Sequence, residues 1–239
     1  MNKVRIGILG CAGVAQKYAI KAFQSIPHAE VIALASRDYA KGQEWAARFG
    51  VRAEKSYAHL LACKDIDAVY IPLPIGLHEE WVLKAAEAGK HILCEKSLSD
   101  SYLSVQKMVE ACVAHGIVLY ENFMCDFHPQ HAVVQSLIED RKIGVPLVFQ
   151  SYFGFPPFPP TSFRYNPTLG GGSLNDAGSY TIFMARKMFG EPLAVTAILN
   201  IAPESHVDVH GSVLLEFPLQ KTGLLSFGFD NVYQNNYSI

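Results

Sequence analysis

The segment Gly7-Ile-Leu-Gly10-Cys-Ala12-Gly13-Val-Ala15 has the residue types and spacing of a turn that cradles a pyrophosphate. Gly10 permits a tight turn, Ala12 is small enough for a phosphate to approach the main chain, and Ala15 lets the following helix pack closely on the preceding strand. Cys11, Gly13 and Val14 complete the turn. The helix that follows offers free N–H groups and the positive end of its dipole to the phosphates. Ser36-Arg37 stands about twenty residues further on, where a carboxylate would chelate the ribose hydroxyls of NAD. A guanidinium there pairs with a 2′-phosphate instead, so the pattern reads as a preference for NADP(H). Asp38 falls at the expected cap of the next helix.

Other chemistry-bearing residues give weaker patterns. His128 and His131 are three apart and could share a metal, but no third ligand of suitable spacing accompanies them, and no metal site is expected. Cys94 and Cys125 have no activating partner nearby in sequence and read as packing. The five cysteines form no CxxC pair, which argues against a disulfide framework or structural zinc and for reduced thiols.

Strand-like and helix-like segments alternate through the first half. Strands are expected at Val4–Leu9, Glu30–Ser36, Ala68–Ile71, His91–Cys94 and Val118–Tyr120. Helices are expected at about 14–24, at Tyr39–Phe49 before Gly50, at Leu77–Ala88 before Gly89, and before Gly116, where Val105, Met108, Val109 and Cys112 share one face. Apolar strands separated by helices imply a doubly wound parallel sheet covered on both faces. The character changes near Asn122. A helix from Pro129 to about Arg141 is followed by a strand over Val145–Phe155 and a stiff extended loop, Phe155-Pro-Pro-Phe-Pro-Pro160. Val207, Val209, Val213, Leu215 and Phe217 lie at alternate positions, and Leu225, Phe227 and Phe229 repeat the pattern. The expected organisation is a dinucleotide-binding Rossmann domain over 1–122 and an α+β domain with an open antiparallel sheet over 123–239.

The chain has 239 residues with net charge −2, half of them hydrophobic and 18% charged. That composition excludes disorder and a basic coat for nucleic acid. No apolar run approaches the ~20 residues of a membrane helix, and the N-terminal stretch reads as a strand rather than a signal peptide. A cytoplasmic globular protein is expected.

Three further segments carry a resemblance: Tyr70-Ile-Pro-Leu-Pro-Ile-Gly-Leu-His78, Ala88-Gly-Lys-His-Ile-Leu-Cys-Glu95-Lys96, and Leu169-Gly-Gly-Gly-Ser-Leu-Asn-Asp176-Ala-Gly-Ser-Tyr180. With the glycine-rich turn, and in the same order, they resemble the glucose–fructose oxidoreductase / inositol dehydrogenase (Gfo/Idh/MocA) family. Tyr120-Glu-Asn-Phe-Met124, His128-Pro-Gln-His131, Phe163-Arg164 and Tyr233-Gln-Asn-Asn-Tyr237 are similar to the NDP-sugar 3-ketoreductases within it. The resemblance implies catalytic roles for Lys96 and Tyr180, the tyrosine protonating a developing alkoxide while the lysine stabilises its phenolate. It implies cofactor contacts from Pro72, Leu73, Leu77, His78, Glu95, Lys96, Asn122 and Arg164. For the substrate it implies Phe123, His128, Arg164, Asp176, Tyr180 and Asn236. The implied activity is NADP(H)-dependent reduction of the 3-keto group of an NDP-linked deoxysugar by a homodimer or homotetramer. An aldose or trans-dihydrodiol dehydrogenase and a non-catalytic cofactor-binding protein are the alternatives.

Departures from the family pattern carry their own expectations. Ser97 replaces the proline of the usual Glu-Lys-Pro, implying a looser turn, and Ile75 replaces an asparagine near the cofactor. Relatives continue through further strands and a helix beyond the position of Ile239, so the C-terminal part of the second domain is expected to be missing and the last strand to present an unpaired edge.

Overall fold

The computed structural model describes residues 3–239, which divide into two compact units, one ending at Asn122 and one beginning at Phe123.

In the first unit, β1 (Val4–Leu9) leads through the glycine-rich turn into a wide helical turn, Ala15–Ala19, that continues as α1 (Ile20–Ser25). Then follow β2 (Ala29–Ala35), α2 (Tyr39–Phe49), β3 (Arg52–Glu54), α3 (Tyr57–Ala62), β4 (Ala68–Ile71), α4 (His78–Glu87), β5 (His91–Glu95), α5 (Tyr102–Ala114) and β6 (Leu119–Asn122). The strands pair in parallel in the order β3-β2-β1-β4-β5-β6. Chain direction along the sheet reverses between β1 and β4, which opens a crevice at the carboxyl ends of the strands. Ile8, Leu9, Leu34, Val69, Ile71 and Cys94 are buried because helices cover both faces. The ends of α2 follow from local chemistry: Asp38 accepts a hydrogen bond from the Lys41 N–H, and Gly50 closes the helix at φ +67°. Ser56 and Ser101 cap α3 and α5 in the same way.

The second unit contains α6 (Gln130–Glu139), β7 (Val148–Gly154), a wide helical turn at Leu174–Gly178 that runs into α7 (Ser179–Phe189), β8 (Ala194–Ile201), β9 (Asp208–Phe217), β10 (Lys221–Gly228) and β11 (Gln234–Ser238). Its strand order is β11-β7-β10-β9-β8. The sheet is mixed rather than wholly antiparallel: β7 and β10 run parallel and every other pair is antiparallel. The reason is connectivity, since α7, β8 and β9 intervene before the chain returns beside β7. One face packs Phe149, Val213, Leu215, Leu225 and Phe227 against Ala177, Met184 and Ala185 of the helical layer. The other face is open, and β8 is exposed along its whole length. Among the described residues, no helix is long and apolar enough to cross a membrane.

Candidate active site

In the first unit, the parallel sheet places the glycine-rich turn, Ser36-Arg37, the Pro72–His78 segment, the Glu95–Leu98 turn and Asn122 along one edge, because all of them follow strand carboxyl ends. Gly10 has φ +116°, donates its N–H to the Ala35 carbonyl at 2.8 Å, and would bring a Cβ to 2.8 Å from the Leu73 side chain. Only glycine fits there. A Cβ on Gly13 would meet nothing within 4 Å, so the protein itself leaves that approach to the helix N-terminus open. Bare main chain plus the unbonded N–H groups of a first helical turn is a cradle for a pyrophosphate, and in this respect the residues present fit a dinucleotide.

Ser36 is buried and its Oγ accepts from the Asp38 N–H, whereas Arg37 is exposed at the same edge. The Asp38 carboxylate is occupied as the α2 cap. Sequence reasoning missed Tyr57. Its hydroxyl would lie 3.6 Å from a Cβ on Gly10, its ring packs edge-on against Trp81 at 4.9 Å, and burial pushes its phenol up, with the Arg37 main chain pulling the other way. Tyr57 therefore faces the turn from α3, an element whose six residues are too few to show a periodic face.

His78 lies fully buried at the start of α4. Its Nε2 stands 2.8 Å from the Leu73 carbonyl and its Nδ1 3.0 Å from the Ser97 carbonyl. Burial pushes the imidazole down, against the pull of the carbonyls that face both ring nitrogens. His78 thus ties the Pro72–Pro74 segment to the turn after Lys96. Leu77, just before it, donates its N–H to the Pro74 carbonyl. Glu121 accepts from the Leu98 N–H at 2.7 Å, and the Lys96–Ser97 peptide is cis. Hydrogen-bonding groups from two neighbouring segments, the His78 ring and the Glu121 carboxylate, meet this turn. Buried Glu95 accepts at Oε1 from the Tyr70 hydroxyl at 2.5 Å and from the Asn122 amide at 2.7 Å. Its first task is to fasten β4, β5 and β6 at their carboxyl ends. Lys96 follows it, half-buried. Ile75 is buried.

In the second unit, Tyr180 stands on α7 between two aromatic edges, Phe123 at 5.6 Å and Phe153 at 5.1 Å. Phe123 also stacks on Phe183 at 4.4 Å, so the phenol ring is held on a rigid aromatic wall. The glycine run is explained by close approach. A Cβ on Gly171 would meet the Arg164 carbonyl at 2.5 Å, and Gly172 lies at φ +113° against the Asp208 carboxylate. That carboxylate accepts from the Ser173 hydroxyl and the Leu174 N–H, both at 2.6 Å, and so caps the turn leading to Tyr180. Asp176 pairs with Arg164 Nε at 2.5 Å, and the guanidinium lies over the Phe158 and Phe163 rings at 4.2 and 4.8 Å.

His128 is exposed and accepts from the Gln130 N–H, while buried His131 stands 3.0 Å from the Tyr237 hydroxyl. Among the described residues, no third ligand joins these two histidines. Cys125 packs on the core, and burial pushes the Cys94 thiol far up. Strand register separates Asn236 from Tyr180. Asn236 pairs with Tyr152 on the open face, and Asn235 pairs with Phe153 on the face that carries Tyr180.

A family model described as "Oxidoreductase family, NAD-binding Rossmann fold" matches residues 4–123, and the GFO/IDH/MocA C-terminal domain matches residues 131–239. The chain belongs to the Gfo/Idh/MocA oxidoreductase family. It is 42% identical to dTDP-3,4-didehydro-2,6-dideoxy-alpha-D-glucose 3-reductase of Saccharopolyspora spinosa, over 99% of this chain and 71% of that protein. It is 37% identical to D-xylose 1-dehydrogenase (NADP(+)) 2 of Haloferax volcanii, over 98% of this chain and 72% of that one. A 3-ketoreductase from Actinomadura kijaniata, solved in complex with NADP and TDP-benzene, superposes with a TM-score of 0.96 at 38% identity, covering 99% of this chain and 73% of that one. Placing the chain in this family agrees with the motifs quoted above.

Proposed function

We propose that this chain is an NADPH-dependent reductase of a 3-keto sugar carried on a nucleoside diphosphate, with residues 1–122 holding the cofactor and 123–239 the substrate. One observation carries the reading furthest: 42% identity to a sugar-nucleotide 3-reductase across 99% of the chain, with a lysine at a cofactor-edge strand end and a tyrosine set in an aromatic wall. When bound, the reduced nicotinamide supplies the hydride. Tyr180 delivers a proton to the carbonyl oxygen as charge builds there, and the Lys96 ammonium stabilises the phenolate that remains. The Actinomadura ketoreductase has been solved with a tyrosine replaced by phenylalanine and with a lysine replaced by glutamate or alanine, the residue types assigned here to Tyr180 and Lys96.

Gly10, Cys11, Ala12, Gly13, Val14 and Ala15 cradle the pyrophosphate, and Arg37 reads the 2′-phosphate beside Ser36. Pro72, Leu73 and Leu77 border the nicotinamide side, with His78, Glu95 and Asn122 bracing it. Phe123, His128 and the Arg164–Asp176 pair face the sugar nucleotide. Asn235 is the better candidate than Asn236 for a substrate contact, since it shares the face of Tyr180. Five free cysteines suit a reducing cytoplasm.

NADPH should be oxidised by the enzyme on addition of a TDP-linked 3-keto-2,6-dideoxysugar, followed by loss of nicotinamide absorbance. Tyr180→Phe should lower kcat about tenfold to a hundredfold, because the Lys96 ammonium and water remain as poorer donors. Cofactor binding without any turnover would sink the reading. The Haloferax relative motivates a second reading, oxidation of a free aldose by NADP⁺. Reduction of NADP⁺ by D-xylose, with sugar nucleotides inert, would favour it.

The open face of the second sheet carries Tyr152, Ile198, Leu214 and Leu224, all between 38% and 70% exposed, with Leu214 and Leu224 directly paired across strands. An apolar face of this kind suits a second copy of the chain. Native mass spectrometry should show a dimer or tetramer that Leu224→Glu dissociates. A wild-type monomer at micromolar concentration would rule the assembly out.

A further inference from the structure

Away from the cofactor edge turn and the aromatic wall, three side chains of different ligand chemistry converge at the outer edge of the first sheet. Glu54 ends β3, His59 lies in α3, and Cys63 directly follows that helix, four residues after His59 and therefore on the same face. One ligand atom from each lies within 4.8 Å of the other two, and His59 Nδ1 stands 2.6 Å from Glu54 Oε2. We propose that Glu54, His59 and Cys63 form a binding site for a single thiophilic divalent cation, zinc being the ion that fits.

Tetrahedral zinc holds nitrogen, oxygen and sulfur at roughly 2.0–2.3 Å, which spaces its ligand atoms about 3.3–3.6 Å apart. His59 Nδ1 and Glu54 Oε2 stand closer than that, at 2.6 Å, and every pair of ligand atoms lies within 4.8 Å. Closing on an ion lengthens the contact between His59 and Glu54, and the His59 side chain is 57% exposed. The other two ligands are already fixed by neighbours. Arg52 Nε binds Glu54 Oε1 at 2.7 Å, which leaves Oε2 directed at His59. Asp65 takes the Arg52 NH1 at 2.8 Å, so the guanidinium charge is balanced. Lys90 Nζ grips the carbonyls of Cys63 at 2.7 Å and Ile66 at 2.8 Å, which anchors the main chain of the sulfur ligand. Partners that hold the ligands themselves are what preorganise a metal site.

The donor set selects the ion. One sulfur, one nitrogen and one oxygen disfavour magnesium and calcium, which take oxygen ligands, and favour zinc or its spectroscopic substitute cobalt. Cys63 gives up its thiol proton to solvent as the metal–sulfur bond forms, and with Glu54 it supplies two negative charges to the ion. Water completes the fourth position on the exposed side of His59. The bound ion would fasten α3 to β3.

The test is titration of the chelator-stripped full chain with Co²⁺. One equivalent should bind, give a thiolate-to-cobalt charge-transfer band, and be displaced by Zn²⁺. Cys63→Ser should abolish the band with an unchanged circular dichroism spectrum. His59→Ala, at a largely exposed position, should weaken cobalt binding at least tenfold. No charge-transfer band in the wild type overturns the proposal. So does a band that survives Cys63→Ser, or cobalt affinity indifferent to His59→Ala. None of these readouts depends on the reductase assignment.

Discussion

Lys96→Met should lower kcat by roughly 10²–10⁴-fold, the range for removing a group that moves or stabilises a proton in the transition state, while the Kd for NADPH changes only a few-fold. The expectation rests on how Lys96 is mounted. Its main chain leaves β5 beside Glu95, whose carboxylate ties Tyr70 to Asn122, and the turn after it is held by His78 and Glu121. A methionine of similar length removes the charge and keeps the aliphatic stem. Fluorescence titration of NADPH and steady-state kinetics on the sugar nucleotide separate the two effects. Loss of NADPH affinity in proportion to kcat would make Lys96 a cofactor ligand alone. A kcat within about tenfold of wild type would remove it from the proton chemistry.

Legibility in the sequence followed how local each signal is. The span of α2 could be read residue for residue because Asp38 and Gly50 mark its ends by their own side-chain and backbone chemistry. The strands β1, β2, β4 and β5 are visible as short, mostly apolar runs, since burial on both faces favours apolar residues. By contrast, β3 has three residues and α3 six, too short for any period to register, and with them Tyr57 and the Glu54–His59–Cys63 cluster went unread. The strand β8 was missed for a different reason: every residue of Ala194–Ile201 is exposed, so burial imposes no alternation on it.

Site residues divide the same way. The glycine-rich turn is legible because its chemistry is main-chain geometry, and Gly10 at φ +116° shows why the residue is required. What a side chain touches across strands is not local. Asn235 and Asn236 are neighbours of identical type, and only the pairing of β11 with β7 decides which shares a face with Tyr180. His78 reads from sequence as a cofactor neighbour, yet its nitrogens meet carbonyls five and nineteen residues away. Asp176 pairs with Arg164, twelve residues earlier, a contact that no local pattern announces.

Arg37→Ala should weaken NADPH binding by roughly 10- to 150-fold and leave NADH binding within about twofold, since a charge-assisted hydrogen bond is worth about 1.5–3 kcal/mol. The neighbourhood makes this difference measurable. Arg37 is exposed, so its replacement opens no cavity, and the Ser36 and Asp38 hydrogen bonds that start α2 do not pass through its side chain. Asp38, next in sequence, carries a carboxylate that could chelate ribose hydroxyls. It is held at Lys41 N as a cap, so NADH gains no compensating contact when Arg37 is lost. The preference should also fall as ionic strength rises, because the contact is an exposed ion pair and is screened by salt. Equal weakening of both cofactors would mean that Arg37 shapes the turn rather than reading the phosphate. NADPH affinity unchanged at low salt would shift that role to another residue along this edge, with Tyr57, whose hydroxyl faces Gly10 and the Arg37 main chain, the first to replace.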